Sequence, residues 1–148
     1  MLKKSIFLMM FAVLSVSAFA AQAKTVEIEG KNSLRFSEEA ISAKPGEEIT
    51  IKLTNTSKLP ASAMAHNWVL LKSDADAAKI DEAAANAKAN DYIPEDMSDQ
   101  IVAHTGLVGG GESDSVTFKA PTEPGEYTYI CTFPGHYSAG MKGTLTVK

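Results

Sequence analysis

The densest chemistry in this chain lies near its C-terminal end, in Cys131-Thr132-Phe133-Pro134-Gly135-His136-Tyr137-Ser138-Ala139-Gly140-Met141, where a thiol, an imidazole and a thioether share one short loop. A second imidazole, His66, stands far upstream. Together the four side chains make the ligand set of a type 1 copper site: two imidazoles and a thiolate in a trigonal plane, with a weak axial sulfur. A thiolate is a soft donor that suits both copper oxidation states, and a distant thioether favours Cu(I). A geometry between the preferences of the two states moves little when an electron arrives or leaves. Taken singly, each residue has a blander use. Free cysteine and methionine commonly fill cores, and an inward histidine is usually hydrogen-bonded to its neighbours. The placement of three of them around one turn, with His66 to complete the set, points to one metal ion.

The elements that must position these donors are short strands separated by turn signals. Thr25 to Glu29 alternates, as does Glu48 to Thr54 behind Lys44-Pro45-Gly46-Glu47. Further strands are expected at His66 to Leu71, Ser113 to Lys119, Glu126 to Cys131 and Lys142 to Val147, with Glu123-Pro124-Gly125 and Gly109-Gly110-Gly111 as turns. This pattern predicts an all-β antiparallel sandwich or barrel. In it Cys131 ends a strand, Pro134-Gly135 turns the chain, and Met141 precedes the next strand. His66 shares the parity of Trp68 and Leu70, so it should face inward. Residues 74–89 are the exception: their alanines and Lys79, Ile80, Glu82 and Lys88 favour a short helix capped by Ser73 or Asp74. With almost no large apolar residue except Ile80, this insertion is expected to be a solvated flap outside the sandwich.

The chain's 148 residues suffice for one domain with a sizeable core. Residues 1–23 read as a cleaved signal peptide: Lys3 and Lys4, then an uncharged apolar run from Ile6 to Ala20, then Ala21-Gln22-Ala23. The run is shorter than the roughly 20 residues of a spanning helix. The expected mature domain is 24–148, exported to the periplasm. Without Lys3 and Lys4 the 14 basic residues fall to 12 against 18 acidic ones, a net charge of −6 that argues against nucleic acid as a partner. Exported proteins usually pair their cysteines. Here Cys131 stands alone, and a bound metal would protect it.

Met64-Ala65-His66-Asn67-Trp68-Val69-Leu70, Ala103-His104-Thr105, Asp114-Ser115-Val116-Thr117-Phe118, Cys131-Thr132-Phe133-Pro134-Gly135-His136 and Met141-Lys142-Gly143-Thr144-Leu145-Thr146 resemble the azurins, over nearly the whole mature chain. The spacing Cys-x4-His-x4-Met is one residue longer than the azurins' last step and is similar to that of the auracyanins, close relatives in the cupredoxin superfamily. The resemblance implies a Greek-key β-sandwich of about eight strands, one type 1 copper per chain, and electron transfer between redox proteins. It further implies ligation through Nδ1 of His66 and His136, N–H donation from Asn67 and Phe133 to the Cys131 sulfur, and a remote axial contact from the backbone oxygen of Ala65, where azurins carry glycine. The azurin disulfide has no counterpart. His104 corresponds to a surface residue and is expected to lie outside the site.

Three function classes compete. The first is a soluble, monomeric electron carrier that docks cytochromes or copper/haem oxidoreductases through an apolar rim of Leu59, Pro60, Ala61, Ala63, Met64, Phe133, Pro134, Gly135 and Ala139 around His136. The second is a hydrolase using Cys131 and His136 as nucleophile and base, but no Asp or Asn near His136 would orient it. The third is a copper chaperone or store, which would want more exchangeable sulfur ligands and an open site.

Overall fold

A computed structural model describes residues 23–148. The expected signal peptide, apart from Ala23, lies outside them.

The strands are β1 (Lys24–Lys31), β2 (Arg35–Phe36), β3 (Ala40–Ala43), β4 (Glu48–Asn55), β5 (Val69–Leu71), β6 (Ile101–His104), β7 (Ser113–Lys119), β8 (Gly125–Ile130) and β9 (Lys142–Val147). They form a four-stranded sheet in the order β2-β1-β4-β7 and a five-stranded sheet in the order β3-β9-β8-β5-β6. The described residues thus hold nine strands, the extra ones being pieces of two to four residues. The sandwich is mixed rather than purely antiparallel, because β1 pairs β4 in parallel and β3 pairs β9 in parallel. Parallel neighbours need a long crossover. Here β2 and β3 supply one, carrying the chain from the first sheet to the second before it returns in β4.

Alternation drives the packing. In β4 every second residue is buried, so Ile49, Ile51 and Leu53 face the opposite sheet. They meet Leu70, Tyr129, Leu145 and Val147 in one core that also contains Trp68, Cys131 and Met141. The Trp68 ring lies 5.3 Å from Tyr129 and 5.8 Å from Phe118, which ties the two sheets beneath the metal-binding end.

Three further sequence expectations change. The strand expected at His66 to Leu71 begins only at Val69. His66 keeps a single bridge to Val108, with N···O distances of 3.0 and 2.8 Å, while Thr105 Oγ1 accepts from Trp68 N at 3.0 Å. The ladder opens there because side chains take over its hydrogen bonds. The flap is also less solvated than its composition suggests. Its helix α1 spans Ala77–Ala84 and is capped by Asp76, whose carboxylate accepts from Ala78 N and Lys79 N. Ser73 and Asp74 do not cap it, since the preceding residues turn instead, Ala75 N donating to Lys72 O at 3.1 Å. Ile80 and Ala84 are fully buried, and Ile80 packs with Val69, Leu71, Ile93 and Ile130 in a second cluster on the outer face of the five-stranded sheet. Strand β5 is therefore buried on both faces.

Because Ile80 anchors the flap, Ile80→Ala should lower stability by about 3 kcal/mol through the cavity it leaves. Urea unfolding would measure this; a loss below about 1 kcal/mol would mean that the helix is not packed as described.

Candidate metal centre

The site grows out of strand register. Strands β5 and β8 pair Val69 with Ile130, and continuing that register past the strand ends sets Asn67 opposite Thr132. Strands β8 and β9 pair Ile130 with Lys142, and one further step sets Cys131 opposite Met141, where Cys131 N donates to Met141 O at 3.1 Å. Between Cys131 and Met141 the chain makes two turns. His136 N donates to Phe133 O at 3.0 Å, and Met141 N returns to His136 O at 3.0 Å. The second turn needs Gly140: its φ is +102°, and a Cβ there would lie 2.9 Å from the Arg35 guanidinium. That guanidinium reaches across from β2 to donate to Ala139 O at 2.7 Å, tying the loop to the other sheet.

His66, Cys131 and His136 bring one donor atom each within 4.8 Å of one another. The Nδ1 atoms of His66 and His136 are 3.2 Å apart, and Cys131 Sγ lies 3.9 Å from the first and 3.5 Å from the second. An ion bonded to imidazole nitrogen at about 2.0 Å and to thiolate sulfur at about 2.3 Å, with trigonal angles, requires separations of about 3.5 to 3.8 Å. The donors are already arranged for it. Two nitrogens and one sulfur also match the soft and intermediate ligands that copper prefers.

Burial sets the electrostatics. His66 and Cys131 are 0% exposed and His136 4%. Desolvation lowers both imidazoles to about 4, the neighbouring His136 charge adding to the effect at His66. It pushes the Cys131 thiol up to about 12, against the pull of backbone N–H groups of Asn67 and Phe133 that donate to the sulfur, and with the Asp81 carboxylate raising it further. Those two N–H groups favour the ionised sulfur over the thiol, which is how outer residues tune a metal-bound thiolate.

Two supporting residues, Gly30 and Asn55, gave no advance signal in the sequence; the others were expected at the site or outside it. Gly30 leaves room for the His66 ring: a Cβ at that position would sit 2.5 Å from His66 Cδ2. Asn55, fully buried, donates to Met64 O at 2.9 Å and Val108 O at 3.0 Å, holding the segment that leads into His66. The Asn67 amide donates to Thr132 Oγ1 at 2.8 Å, and its oxygen accepts from Thr132 N at 2.8 Å. The Phe133 ring lies 4.7 Å from the His136 ring and shields it. Met141 is fully buried in the core cluster that holds Cys131, and Ala65 is buried beside His66. His104 is exposed on β6, its ring nitrogen 3.0 Å from Thr105 O, and takes no part in the group.

At neutral pH the thiol holds its proton and the imidazoles hold none, so copper(II) uptake by the metal-free protein should release one proton per ion, from Sγ. Apparent affinity should then fall about tenfold per pH unit on acidification, and more steeply below about pH 4 as both imidazoles protonate. Calorimetric titration in buffers of different ionisation heat counts the protons; none released would remove Cys131 from the ligand set.

Comparison with known proteins agrees with this geometry. Residues 22–148 match the family described as copper-binding proteins of the plastocyanin/azurin family. The chain is 38% identical to an azurin of Pseudomonas aeruginosa over 151 aligned residues covering 100% of both proteins. It is 41% identical to auracyanin-B of Chloroflexus aurantiacus, covering 84% of this chain and 52% of that protein. The structure superposes on a reduced auracyanin from Roseiflexus castenholzii with a TM-score of 0.75 at 38% identity, covering 86% of this chain and 99% of that one. It matches auracyanin A, a "blue" copper protein of Chloroflexus aurantiacus, with a TM-score of 0.76 at 38% identity, covering 86% and 100%. With two packed sheets, a buried His-Cys-His group fit for one type 1 copper, and these relatives, the chain belongs to the plastocyanin/azurin family as a blue copper electron-transfer protein of the azurin and auracyanin kind.

Proposed function

We propose that residues 1–23 export the chain to the periplasm and that residues 24–148 act there as a monomeric one-electron carrier between redox proteins such as cytochromes or copper/haem oxidoreductases. The observation that carries this reading is the preassembled donor group: three ligand atoms from two distant segments, buried, with N–H groups already directed at the sulfur. In it His66, Cys131 and His136 would hold the ion, with the Met141 thioether and the Ala65 backbone oxygen as weaker donors. Bound copper would supply the Cu(I)/Cu(II) couple. The protein's own part is to keep the donors fixed and water out. Hydrogen-bonded turns on both sides of His136 hold the donors in place.

Burial also argues against the rival classes. A thiol with no exposed surface, held protonated by desolvation, is a poor nucleophile. The polar contacts of the His136 ring are to His66 and Cys131, and among the described residues no carboxylate or amide orients it as a base. A chaperone needs an open site with exchangeable ligands, and these donors are enclosed. No helix among the described residues is long and apolar enough to cross a membrane.

The electron's route follows from exposure. Of the three donor residues only His136 reaches the surface; of the residues we assign to the rim around it, Leu59, Pro60, Ala61, Ala63, Pro134, Gly135 and Ala139 are exposed, and Met64 and Phe133 are half-buried. Leu59 is 47% exposed and is the one large hydrophobic residue so exposed among the described residues. A small apolar face of this kind suits a brief encounter that must dissociate after each turnover.

Visible and EPR spectra of the copper-loaded protein test the ligands. Cys131→Ser should abolish the thiolate-to-copper band while the fold persists, and Met141→Leu should keep the band and raise the potential. His104→Ala should leave both unchanged. A surviving band in Cys131→Ser would overturn the reading.

Docking is tested by electron self-exchange, followed by NMR line broadening in mixed-oxidation samples. Met64→Glu or Ala139→Glu should slow it several-fold, because two like-charged faces would have to meet, with spectrum and copper affinity unchanged. A wild-type rate would place the route elsewhere on the surface.

A further inference from the structure

Among the described non-glycine residues, Asp91 and Tyr92 are consecutive in the left-handed region, at φ +52° and +60°. For such residues this conformation is uncommon, and a bulky side chain like that of Tyr92 makes it more so; strain of this kind persists only where the surroundings over-determine it. Here they do. The turn follows the short 3-10 helix Lys88–Asn90 of the flap and is tied by Tyr92 N to Ala87 O at 3.0 Å and by Ile93 N to Asn90 O at 2.8 Å. Its two carbonyls point inward. Asp91 O accepts from the Asn67 amide at 3.0 Å, and Tyr92 O accepts from Thr132 Oγ1 at 2.8 Å.

Asn67 and Thr132 are both fully buried, and each follows a donor residue directly in sequence, His66 and Cys131 respectively. They also bond to each other twice. The hydroxyl of Thr132 donates to Tyr92 O, which leaves its lone pairs to accept from Asn67. Asp91 O takes the other hydrogen of the same amide. The four hydrogen bonds close a network in which the orientation of Asn67 is determined, and Asn67 N–H is one of the two donors to the Cys131 sulfur. The Tyr92 ring extends the bracing, meeting Phe133 edge-on at 5.3 Å; Phe133 supplies the other donor.

We propose that the left-handed pair Asp91–Tyr92 is a positioning device for the copper site: the flap presents two carbonyls that lock Asn67 and Thr132, and so fixes the N–H groups aimed at the Cys131 sulfur. This rests on the reading of His66, Cys131 and His136 as the copper ligands. The sign of its effect follows from charge. The reduced site carries less positive charge, so N–H dipoles directed at sulfur stabilise Cu(I) more than Cu(II), and loosening them lowers the potential.

Asp91 is exposed, so its side chain can be changed with little disturbance to packing. Asp91→Gly retains easy access to the left-handed region, whereas Asp91→Val, β-branched, disfavours it. Potential, visible spectrum and amide exchange of Asn67 and Phe133 would be measured on both variants, the exchange on the metal-free protein as well. Asp91→Val should lower the Cu(I)-over-Cu(II) preference by about tenfold, equivalent to about 59 mV for a one-electron couple, and should speed Asn67 amide exchange about tenfold. Asp91→Gly should match wild type in every readout. If Asp91→Val does not fold, Asp91→Ala carries the same comparison with a milder backbone penalty and a smaller shift in the same direction. Wild-type potential and exchange in a valine or alanine variant that is merely less stable would reduce the turn to a structural loop and overturn the proposal. Failure of the copper reading itself would look different, since wild type would then show no blue band.

Discussion

A thiolate buried away from water must be compensated, and most of this structure can be read as the means of doing so at Cys131. Ionising a fully buried sulfur is unfavourable by itself, which is why desolvation holds the thiol's pKa near 12. A cation beside it, two N–H donors and two neutral imidazoles reverse that balance. Each must stand within a few tenths of an ångström of its place. The sandwich achieves this by ending β8 at the cysteine, so that the sulfur sits where one strand has just left its ladder and its neighbours on both sides are still in register.

Register converts distance in sequence into adjacency in space. His66 and Cys131 are 65 residues apart, yet continued pairing of β5 with β8 sets their neighbours Asn67 and Thr132 opposite each other. Backbone ladder bonds give way there to side-chain bonds of similar length. The exchange leaves the Asn67 N–H free for the sulfur, which an unbroken strand would have committed to the adjacent strand. The short β5 is therefore what the site requires of this stretch.

The flap answers a different need. A sandwich has two outer faces, and the one behind the copper end carries Val69, Leu71 and Ile130, which must be covered. Helix α1 covers them with Ile80 and Ala77, and the chain beyond it turns back through Asp91 and Tyr92 to reach Asn67 and Thr132. Covering the sheet and bracing the site are thus done by one insertion, and the apolar contact of the first secures the geometry of the second.

The amino-acid sequence by itself determined the chemistry on offer: one thiol in an otherwise cysteine-free chain, one loop with imidazole and thioether at regular spacing, and a second histidine on an apolar segment. It also determined the elements with strong local signals. Strands β7 and β9 fall at the expected residues, and a short helix lies within 74–89, because alternation and helix propensity are local properties. What tertiary structure alone decided is whatever depends on partners far away in the chain. Strands β2, β3 and β6 are too short to show a period, and the parallel pairings arise from crossovers that no local pattern encodes. Strand β5 lost its alternation because the flap buried its second face. Gly30, Arg35, Asn55 and the pair Asp91–Tyr92 read as ordinary loop and edge residues. Their roles exist only because the fold brings the His66 ring, Ala139 O, Met64 O and the Asn67–Thr132 bridge up against them.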